Sequence, residues 1–237
     1  FNFVYFHLRQ RDEVSQLHLF DRRRQNVFIA NWFRQDFLTK GYTAMINFHF
    51  NNDHGITPGD RARLNVAYLG FHGDGRIGSW AIDHAFYQAV GHDNFNRLAR
   101  RSVDINAQMA ALELSVDKDW MRHKLSIFYA SGDDKPRDSE ATGFDTVFDR
   151  PFFIGGPFSF FSHQGFNLAG TAVNFKQRDS LVVDFRTSKS EGQANFVNPG
   201  LFLFNAGADF NLSPKWRAFV NANYLRFDRT EPLELLL

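Results

Sequence analysis

The chain contains no cysteine, so disulfide bonds and metal sites built from thiolates are excluded. It also lacks an excess of charge of either sign, since it has 27 Lys and Arg and 26 Asp and Glu. The net charge of +1 implies no strong attraction to nucleic acid. A long apolar run is missing as well. The longest stretch without a charged residue, 151–175, contains Pro, Gly, Asn and Gln and does not fit a membrane-spanning helix.

Catalytic patterns are missing too. The sequence has no Gly-x-Ser-x-Gly elbow, no phosphate-binding loop and no dinucleotide fingerprint. The histidines are scattered without the spacing of metal ligands, and the acidic group Asp133, Asp134, Asp138 and Glu140 matches no calcium-binding loop. We therefore expect no enzyme activity, no cofactor and no metal.

Phenylalanine is abundant instead, with 29 residues. Much of it lies in segments of about ten residues in which apolar and polar side chains alternate, and the clearest is 42–51. Its large apolar residues fall on one face, and Asn47, His49 and Asn51 fall on the other. This period of two predicts β-strands with one apolar and one polar face. Eleven strands are predicted: 1–8, 27–38, 42–51, 63–68, 79–90, 103–116, 122–129, 167–177, 180–187, 201–210 and 216–227.

Two of these strands carry further expectations. In 63–68 we assign Leu64, Val66 and Tyr68 to the apolar face. In 103–116 the apolar residues change from odd to even positions, and a β-bulge near Ala110 would produce that change.

The links between the predicted strands alternate in length. Short links are 39–41, 73–78, 117–120, 178–179 and 212–215, and long links are 9–25, 52–60, 91–102, 131–165 and 188–200. Such alternation is typical of an antiparallel up-and-down barrel in the bacterial outer membrane, whose turns are short on one side and long on the other.

Aromatic residues near the strand ends favour the same interpretation. Trp80, Trp120 and Trp216 lie close to short links, whereas Tyr129 and Tyr224 lie at the opposite ends of their strands. Two aromatic girdles at the membrane interfaces would show this distribution. We therefore predict an all-β, antiparallel up-and-down transmembrane β-barrel in a single domain, 1–237. Because eleven is an odd number, we expect at least one strand beyond this excerpt, and we expect the excerpt alone to aggregate.

Charged residues on the polar faces are the candidates for the pore lining. They are Arg34, Arg63, Asp83, Asp104, Arg122, Lys124, Asp184, Arg186 and Arg217. Rings of basic residues would favour an anionic solute. Because acids nearly balance the bases, a lattice of cross-strand ion pairs supporting the wall is the alternative.

The longest link, 131–165, is unusually aromatic. Phe144, Asp145, Phe152, Phe153 and Phe158 are the candidates for a loop that folds into or over the pore mouth. Packing of this loop on the barrel rim is the alternative interpretation.

Several motifs resemble the alginate export family of outer-membrane barrels, and above all its uncharacterised members. They are Ser-Gly-Asp-Asp at 131–134, Phe-Asp at 144–145, Phe-Phe-Ile-Gly-Gly at 152–156, Glu-Gly-Gln-Ala-Asn-Phe-Val-Asn-Pro-Gly at 191–200, Leu-Ser-Pro-Lys at 212–215 and Asn-Tyr-Leu-Arg-Phe at 223–227. The resemblance implies a monomeric porin, in contact with membrane lipid and lipopolysaccharide, that passes an anionic polysaccharide or a small solute.

From these observations we expect an outer-membrane channel for passive diffusion or export of a solute, such as alginate. The alternatives are a plugged structural or adhesive barrel and a soluble carbohydrate-binding β-sandwich.

Overall fold

The computed structural model describes residues 1–8, 24–54, 63–146 and 193–235, and the structural statements below concern these residues. An all-β chain is confirmed. Its elements are β1 (Asn2–Leu8), β2 (Gln25–Arg34), β3 (Tyr42–Asp53), β4 (Leu64–Ile77), β5 (Trp80–Asn96), β6 (Arg101–Lys118), β7 (Met121–Ala130), β8 (Glu140–Ala141), β9 (Leu201–Ser213), β10 (Trp216–Arg226) and a single helical turn, α1 (Glu231–Glu234). Among these residues, no helix has the length and apolar character needed to cross a membrane.

The strands form one antiparallel up-and-down sheet. Their order is β1-β2-β3-β4-β5-β6-β7-β9-β10, and the two residues of β8 pair in parallel with β6 outside this path. Strands β1 and β10 are the edges of the described sheet, so it is not closed into a barrel.

Tight turns join the strands at one end of the sheet. Gly41 and Gly78 have φ values of 85° and 62°, which glycine adopts without steric cost, and Asp119 has φ 55° in the turn between β6 and β7. We call the strand ends beside these turns the turn half and the opposite ends the loop half.

Strand register divides the sheet into two faces, because directly paired residues lie on the same side. Phe48 pairs with Leu69, and both are exposed. Their side is the bare face. On the other side, Asn47 pairs with Gly70, and both are buried. Residues 131–146 and 193–200, here named the cover segments, pack on that side, which we call the covered face.

The prediction of a β-bulge near Ala110 is wrong. Strand β6 pairs with β5 and with β7 in unbroken register on both sides of Ala110. What changes is the face that is apolar: Val103 to Met109 are buried on the covered face at odd positions, whereas Leu112 and Leu114 lie on the bare face. The prediction that Leu64, Val66 and Tyr68 share the apolar face of their strand is confirmed: all three are buried in the hydrophobic cluster, and their register places them with Asn47 and Asn51 on the covered face.

The links also differ from expectation. The predicted long link 91–102 shrinks to 97–100, and the predicted link 73–78 shrinks to 78–79, because β5, β6 and β4 extend through them. The predicted strands 167–177 and 180–187 lie outside the described residues. Strand β7 hydrogen-bonds directly to β9, so no strand lies between these two in the sheet.

Candidate functional site

The covered face is apolar in its loop half, where the cover segments pack. Phe144, Phe196 and Val197 of these segments are at most 2 % exposed. They belong to one hydrophobic cluster with strand residues from β2 to β9, including Tyr68, whose ring lies edge-on to Phe144 with 6.1 Å between centroids. This packing explains why the covered face is apolar in its loop half and not in its turn half.

Hydrogen bonds fasten the cover segments to each other and to the sheet. Asp145 is fully buried: its carboxylate accepts the Asn195 amide at 2.8 Å, and its carbonyl accepts the Tyr68 hydroxyl at 3.1 Å. Asn198 donates to the Phe144 carbonyl at 3.2 Å, and Asn96 of β5 donates to Asn195 at 3.0 Å. Buried polar groups that have hydrogen-bond partners are costly to expose. These contacts therefore hold the cover segments against the sheet.

Close backbone approach is part of this docking. Gly200 has φ 60°, and a Cβ there would lie 2.5 Å from the Ala130 carbonyl oxygen. A Cβ on Gly143 would lie 2.6 Å from the carbonyl oxygen of Asn198. Larger residues at these positions would push the cover segments off β7 and off each other.

The covered face is polar and charged in its turn half, beyond the cover segments. Lys124 and Asp209 form an ion pair at 2.7 Å with side chains only 12 % and 17 % exposed. Asp117 receives Arg122 at 2.5 Å and Arg76 at 2.6 Å, and these three groups are more exposed. The bases and acids of this region are therefore largely paired with one another.

Uncharged polar side chains continue this lining. Asn205, which is fully buried, donates to Asn223 at 2.8 Å, and Ser126 donates to Glu113 at 2.8 Å. His72 contacts Asp83 at 3.2 Å. The turn half thus presents a hydrophilic wall to which β4, β5, β6, β7, β9 and β10 each contribute polar atoms.

The predicted pore-lining residues divide into four groups. The register places Asp83, Arg122, Lys124 and Arg217 on the covered face. Contrary to the expectation of one common face, Arg34 shares the bare face with Trp32, and Asp104 shares it with Asn106. Arg63 is exposed and directly precedes β4. Asp184 and Arg186 lie outside the described residues.

The predicted loop residues are described only in part. Phe144 and Asp145 are buried in the cover segments, which agrees with both interpretations of the loop, whereas Phe152, Phe153 and Phe158 lie outside the described residues. Sequence reasoning missed Arg76 and Asp117 because it ended the strands too early. Arg76 lies eight residues beyond the predicted strand 63–68 and Asp117 one residue beyond 103–116. Continuing the alternation places Arg76 in phase with Asp74, and Asp117 in phase with Ser115.

The bare face carries a broad band of exposed apolar side chains. Each of the following is 36–63 % exposed: Phe28, Trp32, Ile46, Phe48, Phe50, Leu69, Phe71, Trp80, Phe86, Val90, Leu125, Ile127, Phe204, Val220 and Tyr224. Contiguous exposed apolar surface of this extent marks contact with a protein or a lipid.

A polar row borders this band in the loop half. It runs across six neighbouring strands through directly paired residues: His7, Asn26, Asn52, Asn65, His92 and Asp104. His7 contacts Asn26 at 2.7 Å, Asn52 donates to Asn65, and His92 contacts Asp104 at 2.7 Å. The bare face is thus polar where the covered face is apolar.

Comparisons with known proteins add no assignment: no family model matches the chain, and no curated protein or solved structure is significantly similar to it. Within the described ranges, no group of three or more His, Asp or Glu side chains has the arrangement of a metal site.

Proposed function

We propose that this chain forms the wall of a β-barrel channel in the bacterial outer membrane. The observation that carries the proposal is the apolar band on the bare face, opposite a hydrophilic lining on the covered face. A soluble sheet buries its apolar face and hydrates its polar one. A transmembrane barrel reverses this arrangement, because lipid surrounds the outside and water fills the inside.

The slope of the band supports a tilted barrel. The row that begins at Asn26 on β2 reaches β6 at Asp104, but the last polar residue above the band on β6 is Gln108, four residues farther along. Four strand-to-strand steps separate β2 from β6, so the boundary moves by one residue per strand on average, with the shift concentrated between β4 and β6. With a rise of about 3.3 Å per residue and about 4.8 Å between strands, this slope corresponds to a tilt of about 35°. Barrel strands tilt by a similar angle.

The height of the band is also suitable. On β5 its exposed members run from Trp80 to Val90. Ten residue steps cover about 33 Å along the strand and about 27 Å after tilting, close to the apolar height of about 25 Å in such barrels.

The lining indicates which solutes would pass. Because Lys124 is paired with Asp209, and Arg76 and Arg122 share Asp117, the described wall offers few uncompensated cations to a polyanion. We therefore favour a neutral hydrophilic solute that diffuses passively, with the cover segments narrowing the loop half of the pore. An anionic polysaccharide is the alternative implied by the family resemblance.

The test is single-channel conductance of the intact protein in a planar bilayer, with ion selectivity taken from the reversal potential. Discrete steps with weak selectivity are expected. Asp117→Asn should shift the reversal potential toward anion selectivity because it releases two arginines. Asp104→Asn is the matched control, since this residue lies on the bare face, and it should leave selectivity unchanged.

Other results would redirect the proposal. Strong anion selectivity with block by a polyuronate would favour the polysaccharide exporter. A folded, inserted protein without conductance would favour the plugged structural or adhesive barrel. The cover segments, which are docked on the covered face, are consistent with that alternative. A soluble, monodisperse product without detergent would overturn the membrane assignment.

A further inference from the structure

A second polar feature lies where the cover segments meet the chain after β10. The Gly132 amide donates to the Asp228 carboxylate at 2.9 Å, and the Arg229 amide donates to the Pro199 carbonyl at 2.9 Å. These bonds join Asp228 to Gly132 and Arg229 to Pro199. Asp133 directly follows Gly132, and Glu231 of α1 follows Asp228 by three residues, so the two acids flank this contact.

Both carboxylates keep a buried oxygen without a hydrogen-bond partner. Asp133 is 1 % exposed; its Oδ1 accepts the Lys135 amide at 3.0 Å, but its Oδ2 has no partner among the described residues. Glu231 Oε2 is likewise buried and unpartnered. Because a buried carboxylate oxygen without a donor is costly, two of them at one contact require a neutralising group.

The surrounding charges increase the negative character of this contact. Asp134 and Asp138 lie on the same loop as Asp133, and burial together with these acids and Glu231 raises the pKa of Asp133 to about 6. Of the neighbouring bases, Lys135 is exposed and Arg229 lies 3.9 Å from Asp228. No side-chain donor in the described region reaches either orphan oxygen.

We propose that a hydrated divalent cation, Mg²⁺ or Ca²⁺, binds between Asp133 Oδ2 and Glu231 Oε2 and fastens the cover segments to the segment after β10. Hard oxygen ligands without histidine or thiolate suit these ions. Only two carboxylates are available, since the described residues contain no preformed group of three. Water therefore completes the coordination, and the affinity is expected in the range of about 0.1–1 mM.

The proposal is tested on the intact, folded protein in detergent, independently of conductance. Starting in EDTA at pH 8, addition of Mg²⁺ or Ca²⁺ should raise the thermal midpoint by several degrees and saturate near 1 mM. Asp133→Asn and Glu231→Gln should abolish this rise. Asp134→Asn, an exposed acid of the same loop, should keep it, and NaCl at matched ionic strength should not reproduce it.

Direct binding decides the matter if a variant fails to fold. Equilibrium dialysis of the wild-type protein with ⁴⁵Ca²⁺ should find one saturable site per chain, competed by Mg²⁺. No bound ion, or a cation response unchanged in both variants, would overturn the proposal. Stabilisation by acid with no response to Mg²⁺ or Ca²⁺ at pH 8 would also overturn it, and would show that a proton alone neutralises Asp133.

Discussion

The two halves of the sheet follow opposite patterns. In the loop half the covered face is apolar and the bare face carries the polar row, whereas in the turn half the covered face is charged and the bare face is apolar. Strand β6 contains both patterns within one continuous ladder. The difference teaches that the alternation of apolar and polar residues depends on what contacts each face at each position along the strand. It does not show which face points to a common core.

Truncating the core of the cover segments should have the largest effect. Phe144→Ala removes a side chain that is 2 % exposed, and we expect a loss of about 4 kcal/mol in the free energy of unfolding. Phe71→Ala on the bare face, 43 % exposed, is the matched control and should cost far less in detergent. Urea titration of both variants measures the difference, and equal losses would contradict the assignment of the two faces.

A charge on the apolar band should be nearly as damaging in lipid. Leu125→Arg in the turn half places a cation on the bare face, with an expected cost of about 3 kcal/mol near the bilayer centre. Asn106→Arg, toward the polar border, is expected to cost about 1 kcal/mol or less. Folding yields into lipid vesicles test the pair, and similar yields would argue against a lipid-facing band.

Breaking the buried ion pair tests the charged lining. Lys124→Met leaves Asp209 in a largely buried site, and we expect a loss of about 3 kcal/mol. The double variant Lys124→Met/Asp209→Leu should recover most of that loss, because it removes the uncompensated charge. A double variant that is no more stable than the single one would mean that the two side chains act independently.

Asp133 should make stability depend on pH. Burial raises its pKa in the folded state to about 6, above the ordinary value of 3.8, so the folded state binds the proton more tightly. In EDTA, the free energy of unfolding should therefore fall by on the order of 2 kcal/mol as the pH rises from about 4 to about 6. Above about pH 6 it should stay level. Subtracting the profile of Asp133→Asn isolates this contribution, and identical profiles would assign the dependence to other carboxyls.

The smallest effect is expected at the polar row of the bare face. Asn52→Ala removes a side-chain hydrogen bond to Asn65 on an open surface, which should cost about 1 kcal/mol or less. The matched variant is Asn51→Ala, which removes a buried hydrogen bond with Gln25 on the covered face. Comparing the free energies of unfolding of the two variants compares the two faces at neighbouring positions of β3. A larger loss at Asn52 would reverse the order proposed here.

Strand existence and direction were readable from the sequence because period-two alternation and turn residues are local. Nine of the eleven predicted strands fall on described β-strands, and the apolar face of Leu64, Val66 and Tyr68 was read correctly. The face of Asp104 was not readable in this way. A local pattern cannot tell whether an apolar residue contacts lipid, or a loop that arrives from far along the chain.

The sequence by itself determined that the chain is all-β, antiparallel and free of thiol chemistry, since alternation, turns and composition are properties of neighbouring residues. Only the tertiary structure decided that β7 pairs with β9, that the cover segments occupy half of one face, and that Asp228 accepts the Gly132 amide. These contacts join residues about 70 to 100 positions apart. They depend on chain closure and on burial of apolar surface, which no single segment encodes.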